Sequence, residues 1–561
     1  MDFTNLRKQA KLDAKEFLEK DSEYRMGYIE AELPHPVTRR LSQTYQEDIA
    51  AGVKLIFTVD DQMAQRASET LTTEAYAQFA DAVRQTIAKG GRVIFSGCGS
   101  SGRLAMRLEQ SWRNGIRKLM AIYPRSKKRI EKALEQVGSI QTGGEYAVIR
   151  AVESFEDSTA LGEKQAQEWN LTKKDLLVGV TATGETTSIL GTAMEALRKG
   201  AQVYMLICSD PTPLLDKMER TRVVYTHKNC RYLLLPCGAM ALTGSTRMQS
   251  SSFEQFAAAV ALEGALCDIA KIEFQGYGYY GAQFKAMTEN LLGETCVSLI
   301  AQYTKKEQAV YEQGGLMTLF SDEYLLDVLT DTTERAPTFM TPPFCSADML
   351  GQAQSWAFVK NPTCDTLTAW EKCFLRTPRC IGWKQETYEQ LGLTERQIEK
   401  IPDISLRSLH RFIIGNERDI PREKAEPSFA LWADGNEPPE CFYEQARRYM
   451  DRGAITLQSA GVQVAPTAMD MFEHLALKMM LNTLSTGVMA AMGRISGNWM
   501  TCLAMSNKKL VDRSARIVSD LCGVPYEQAL EELYFCKLKS EALNIIKSPT
   551  QMAIETFGMK E

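Results

Sequence analysis

A glycine- and serine-rich stretch, Gly97-Cys98-Gly99-Ser100-Ser101-Gly102-Arg103, stands where an apolar run ends and a helical pattern begins. Glycines let backbone amides approach a ligand, a helix start adds partial positive charge, and adjacent hydroxyls donate to phosphate oxygens. The combination reads as an anion cradle; a capped turn alone would need only one such hydroxyl. Two further hydroxyl-rich turns precede helical stretches, Thr181-Ala182-Thr183-Gly184-Glu185-Thr186-Thr187 and Leu242-Thr243-Gly244-Ser245-Thr246-Arg247. Each alone is an ordinary helix start. Three at the carboxyl end of one parallel sheet converge on a single compact phosphate. The candidate phosphate-binding residues are therefore Gly99, Ser100, Ser101, Thr181, Thr183, Thr186, Ser245, Thr246 and Arg247. The first stretch also spells G-x-G-x-x-G. A dinucleotide would want an acidic residue roughly 20 positions on, and Tyr123-Pro124-Arg125 occupies that region, which weakens the dinucleotide reading.

Those turns need strands before them and helices after them. Apolar runs at 92–95, 175–180, 201–207 and 232–235, separated by helical patterns such as 48–88 and 187–199, predict a parallel sheet wrapped by helices. After a helical region at 248–304, weaker strand signals recur at 316–320, 429–432 and 454–457, which predicts a second α/β unit. From residue 468 helix formers dominate almost to the end. The expected fold class is α/β: two doubly wound parallel-sheet domains, the second degenerate, and a C-terminal all-helical domain. The expected boundaries are 1–47 for an N-terminal helical arm packed on the first domain, 48–275, 276–467 and 468–561.

At 561 residues the chain needs several cores, and a formal net charge of -5 offers no field to steer nucleic acid or an anionic membrane toward it. Its charged N-terminus and the lack of any apolar run of membrane-spanning length predict a cytoplasmic protein with neither partner. The 14 cysteines form no C-x-x-C pair, and the 4 histidines, His35, His227, His410 and His474, are far apart. No metal and no cofactor are expected, and any catalysis falls to carboxylates or hydroxyls.

The stretch 97–103, Glu153-Ser154-Phe155-Glu156-Asp157, the turn from Thr181 and the L-T-G-S-T-R motif at 242–247 resemble, in the same order, the N-acetylmuramic acid 6-phosphate etherase family. That family is built from a sugar isomerase (SIS) domain, works as a homodimer, and runs from its L-T-G-S-T-R motif into a helix ending in K-x-x-L-N-x-L-S-T-G. Here the corresponding Lys478-Met479-Met480-Leu481-Asn482-Thr483-Leu484-Ser485-Thr486-Gly487 comes far downstream, with a second domain interposed. This layout is similar to the glucokinase regulatory protein family, whose helical lid the region from residue 468 resembles and whose lid lysine in this motif matches Lys478.

The resemblance implies a phosphorylated amino sugar or hexose bound in the first domain. The etherase segment D-A-S-E-C-P-P-T carries a catalytic glutamate, yet the aligned position after the first loop is Ser111. Asp331-Thr332-Thr333-Glu334-Arg335-Ala336-Pro337-Thr338 in the second unit is similar to that segment, preceded by Phe320-Ser321-Asp322-Glu323-Tyr324 in place of a phosphate loop. The halves thus look like a fused dimer with one composite site, in which Glu156 and Glu334 are the implied catalytic pair of a lyase releasing D-lactate. The regulatory family implies instead a non-catalytic fructose phosphate sensor with a sugar kinase as partner. Aldose–ketose isomerisation is a third reading, resting on the domain type alone. A pseudo-dimer of this kind is expected as a monomer or a weak homo-oligomer.

Overall fold

The computed structural model describes residues 3–21, 24–346, 351–503, 505 and 507–560. Strands β1 (Val93–Gly97), β2 (Val137–Gln141), β3 (Leu176–Val180), β4 (Gln202–Ile207) and β5 (Cys230–Leu234) form a parallel sheet in the order β2-β1-β3-β4-β5. A second parallel sheet has the order β7-β6-β8-β9, from β6 (Leu316–Phe320), β7 (Ala357–Lys360), β8 (Ser428–Ala433) and β9 (Asp451–Ile455). β1, β3 and β8 are buried along their whole length, as expected of strands covered by helices on both faces.

All seven expected strands are present, and two further ones join the sheets. β2 reads Val-Gly-Ser-Ile-Gln and β7 only Ala-Phe-Val-Lys, too polar or too short to stand out from sequence. β9 begins earlier than expected, at Asp451, because an edge strand tolerates the exposed Asp451 and Arg452 that break its apolar pattern.

The helices that matter for the site are α1 (Thr4–Lys20), α2 (Ile49–Leu71), α3 (Gly99–Ile122), α4 (Thr187–Arg198), α5 (Gln249–Ala270), α6 (Leu325–Phe339), α7 (Met471–Ala491), α8 (Lys508–Cys522) and α9 (Tyr526–Leu543). α3 runs on to Ile122 through Gly115 and ends just before Pro124.

Two placements differ from expectation. α1 packs not on the first domain but on α9 at the other end of the chain, while the arm's later helix, Leu41–Glu47, does pack on α2 of the first domain. Its buried Ala10, Ala14 and Phe17 form the apolar stripe, Phe3 meets Phe535 edge-on, and Arg7 pairs with Glu532. α7, expected within a lid, is instead a central helix buried on all sides. It packs against α2, α6 and the helix Glu294–Glu312 and joins both sheets in one core. The separate apolar cluster of Phe17, Trp499, Leu503, Val511, Leu530 and Leu533 belongs to the terminal helices.

Candidate functional site

The three hydroxyl-rich turns lie where β1, β3 and the segment after β5 leave the first sheet. Gly99 opens α3 with φ +53, and a Cβ there would meet nothing within 4 Å, so this position faces open space. Gly99 and Ser100 start the helix, where amides lack intrahelical acceptors and the helix dipole is positive. Across the sheet, Thr181 Oγ1 lies 2.9 Å from Thr186 Oγ1, and Thr183 Oγ1 donates to Glu185 Oε1 at 3.2 Å. Ser100 Oγ and Thr246 Oγ1 are 3.5 Å apart, which joins the first and third turns.

A cavity of about 190 Å³ opens between them. Gly99, Ser100, Ser101, Thr181, Thr183, Thr186, Ser245, Thr246 and Arg247 line it, and so do Glu156 and Glu334. Glu334 lies not in a loop but near the end of α6, a turn before Pro337, and reaches the cavity from the second half of the chain. Arg103, 1% exposed, pairs with its carboxylate through Nη1 and donates from Nη2 to the Ala147 carbonyl at 2.6 Å. Arg247 is fixed by Asp331 Oδ1 at 2.6 Å, Thr486 Oγ1 at 2.9 Å and Ser485 Oγ at 3.1 Å. The Nε of each arginine is buried with no hydrogen-bond partner among the described residues.

Lys478 does not line this cavity. Its Nζ donates to the carbonyls of Arg247 at 2.8 Å and Met248 at 3.4 Å and to Ser252 Oγ at 2.7 Å, which takes up its three protons. Burial pushes its ammonium down to about 8. It borders a small internal cavity behind Ser100, Arg103 and Glu334 and supports the third turn from beneath.

The cavity also has walls that the motifs did not announce. Gln141 and Thr142 contribute from the end of β2, and Asn507, Lys509, Leu510 and Arg513 from the start of α8. Lys509 and Arg513 stand four residues apart after an Asn507 cap, a spacing that puts both cations on one helix face; this was the signal available in the sequence. Lys509 Nζ lies 3.5 Å from Thr183 Oγ1 and 3.7 Å from Glu185 Oε1. Arg513 grips Glu32 at 3.0 and 2.6 Å; although burial raises that carboxyl, Arg513 and Arg516 hold it down to about 2. Gly244, at φ +74, is where this arginine crosses, and a Cβ there would stand 2.5 Å from Arg513 Nε. Among the described residues no group of three or more His, Cys, Asp or Glu is placed to hold a metal ion, and no helix is long and apolar enough to cross a membrane.

Hydroxyls, helix-start amides and cations surrounding two carboxylates suit a small anionic ligand with polar groups beyond its anion. Residues 75–197 match the family described as glucokinase regulatory protein N-terminal SIS domain. The chain is also similar to N-acetylmuramic acid 6-phosphate etherases. It is 30% identical to that of Photobacterium profundum over 222 residues, 39% of this chain and 64% of that one. It is 27% identical to that of Aeromonas hydrophila over 262 residues, 47% of this chain and 77% of that one. The chain thus spans somewhat under two thirds of the first relative's length. Among solved structures it is similar to tagatose-6-phosphate ketose/aldose isomerase from Escherichia coli, at 9% identity and TM-score 0.37, over 81% of this chain and 95% of that one. It is also similar to the C-terminal domain of glucosamine-fructose-6-phosphate aminotransferase from Francisella tularensis, at 8% and 0.39, over 79% and 96%. The expected resemblance to both families and the two-sheet α/β class with a helical C-terminal region are borne out.

Proposed function

We propose that this cavity binds a phosphorylated sugar and that the chain acts on N-acetylmuramic acid 6-phosphate as an etherase-like lyase. The observation that carries the reading is convergence: three hydroxyl-bearing turns of the first sheet and two carboxylates, one from each half of the chain, line one cavity. The turns and the start of α3 take the phosphate. Glu156 and Glu334 then serve as the acid–base pair. One removes the proton at C2, which is acidic beside the open-chain aldehyde. The C3–O bond breaks with its electron pair as the other protonates the departing lactate oxygen, and addition of water across the resulting double bond restores the C3 hydroxyl. Arg103, paired with Glu334, is the group that would hold that carboxylate at the reacting carbon.

The test is free D-lactate followed with time on N-acetylmuramic acid 6-phosphate, with Glu156→Gln alongside. Release by the wild type and none by the variant, which still binds the sugar phosphate, is the expected result. Release unchanged in the variant removes the role given to Glu156. A second reading, a sugar-phosphate-responsive regulator, is favoured by the wall that α8 gives to the cavity, since occupancy would then bear on the terminal helices. No lactate, together with a rise in Tm on adding sugar phosphate, would select it.

A further inference from the structure

One layer behind the phosphate turn lies a carboxylate that the reaction does not use. Glu254, on α5, is fully buried. Its Oε2 stands 3.5 Å from Ser101 Oγ and its Oε1 3.7 Å from Cys208 Sγ, at the end of β4. We infer that Glu254 is an electrostatic positioning residue for the phosphate turn: uncharged, it allows an anion to sit on Ser101, and its ionisation expels that anion.

The groups facing it come from three elements. α3 supplies Ser101, the end of β4 supplies Cys208 with Cys237 interacting behind it, and α7 supplies Lys478. Lys478 is the near cation, yet its protons go to Arg247, Met248 and Ser252, and among the described residues no cation lies within ion-pair distance of Glu254. An ionised carboxylate would therefore be buried with only a thiol and a hydroxyl as donors, which is costly. Burial pushes the Glu254 carboxyl up to about 8, against the pull of Cys208, Ser101 and Lys478. A phosphate oxygen accepting from Ser101 Oγ at about 2.7 Å would put its charge roughly 6 Å from Glu254, with protein rather than water between. Two negative charges at that separation in a buried site oppose one another, so phosphate binding and Glu254 ionisation are linked, each disfavouring the other.

The inference rests on the reading that the phosphate sits in this turn. The probe is N-acetylglucosamine 6-phosphate, which has no lactate to lose, titrated calorimetrically between pH 7 and 9.5, above the second ionisation of its phosphate. Affinity is expected to hold near neutral pH and then fall by up to about tenfold per pH unit above pH 8, with proton uptake on binding. Lys478 loses its charge in the same range, so the variants separate the two. Glu254→Gln, an uncharged isostere, is expected to bind at pH 7 as the wild type does and to flatten the profile. A fall that persists in Glu254→Gln assigns the effect to Lys478 and overturns the inference. Independently of any variant, infrared difference spectra at pH 8.5 should show a protonated carboxyl band gained on binding, a signal no lysine produces; its absence is equally decisive. Binding that Ser101→Ala weakens but that stays flat to pH 9.5 defeats the inference alone. Binding that Ser101→Ala leaves untouched, or no binding at any pH, defeats the site reading and this inference with it.

Discussion

β1 and β6 occupy equivalent places, each between the two strands that flank it in its sheet, and each runs into a turn and a helix. After β1 the turn faces a cavity. After β6 the same kind of turn is filled by the protein itself: Asp434 Oδ2 accepts from Ser321 Oγ at 2.8 Å, from the Asp322 amide at 2.9 Å and from the Tyr324 amide at 3.3 Å. Burial raises that carboxyl and these bonds draw it back. The turn after each such strand gathers donors, and the placement of one carboxylate decides whether the protein fills them itself. In the second half an internal carboxylate takes the donors; in the first, Glu254 lies behind them and is held uncharged. A first test follows. Asp434→Ala strands the amides of Asp322, Tyr324 and Asn436 and the Ser321 hydroxyl, and should cost about 3 kcal/mol in urea unfolding, allowing 1–3 kcal/mol for each unsatisfied buried group and rescue by water at the part-buried ones. Added phosphate or sulfate should recover more stability in the variant than in the wild type. A variant as stable as the wild type would mean that these donors do not depend on the Asp434 carboxylate.

The second test concerns the other carboxylate. Glu254 has an ordinary value of 4.5 and a folded-state value of about 8, so the folded protein binds this proton more tightly than the unfolded chain. Its favourable contribution is complete below 4.5 and is lost as pH rises toward 8. Glu254→Gln lacks that loss and should gain up to about 4 kcal/mol over the wild type at pH 8 and almost nothing at pH 4, read as the pH dependence of the variant's Tm shift. A gain independent of pH would mean that packing rather than charge separates Glu from Gln here.

What could be read from sequence tracks how local each signal is. The three turns were legible because glycine, hydroxyls and a following helix are adjacent in the chain, and all nine residues drawn from them line one cavity. Glu334 was reachable only through family resemblance, since nothing in Asp331–Thr338 says that α6 lies against α3. Lys478 was expected at the ligand and stands beneath the third turn instead, because a mostly apolar helix buried on every side carries its lysine into the core with it. α1 gave no sign of its partner, as an amphipathic stripe says that a face is buried and not against what. Glu254 and Asp434 look like surface charges in sequence, and only long-range packing makes them the backing of one turn and the filling of another.

The remaining tests separate the cradle from its cover. Ser101 supplies one hydroxyl to a charged acceptor, so Ser101→Ala should weaken N-acetylglucosamine 6-phosphate binding roughly tenfold, about 1.4 kcal/mol, with the fold intact. Lys509→Met should weaken it less, about threefold, because Lys509 keeps 17% of its side chain in solvent, already stands 3.7 Å from Glu185, and sits on a helix of the terminal region. The order matters more than either value. If the first sheet owns the phosphate, the loss from Ser101→Ala persists at high salt while that from Lys509→Met shrinks, since a cation that still reaches solvent is screened and a buried hydroxyl is not. A larger, salt-resistant loss from Lys509→Met would instead make α8 part of the anion site itself, and the first sheet would no longer hold its ligand unaided.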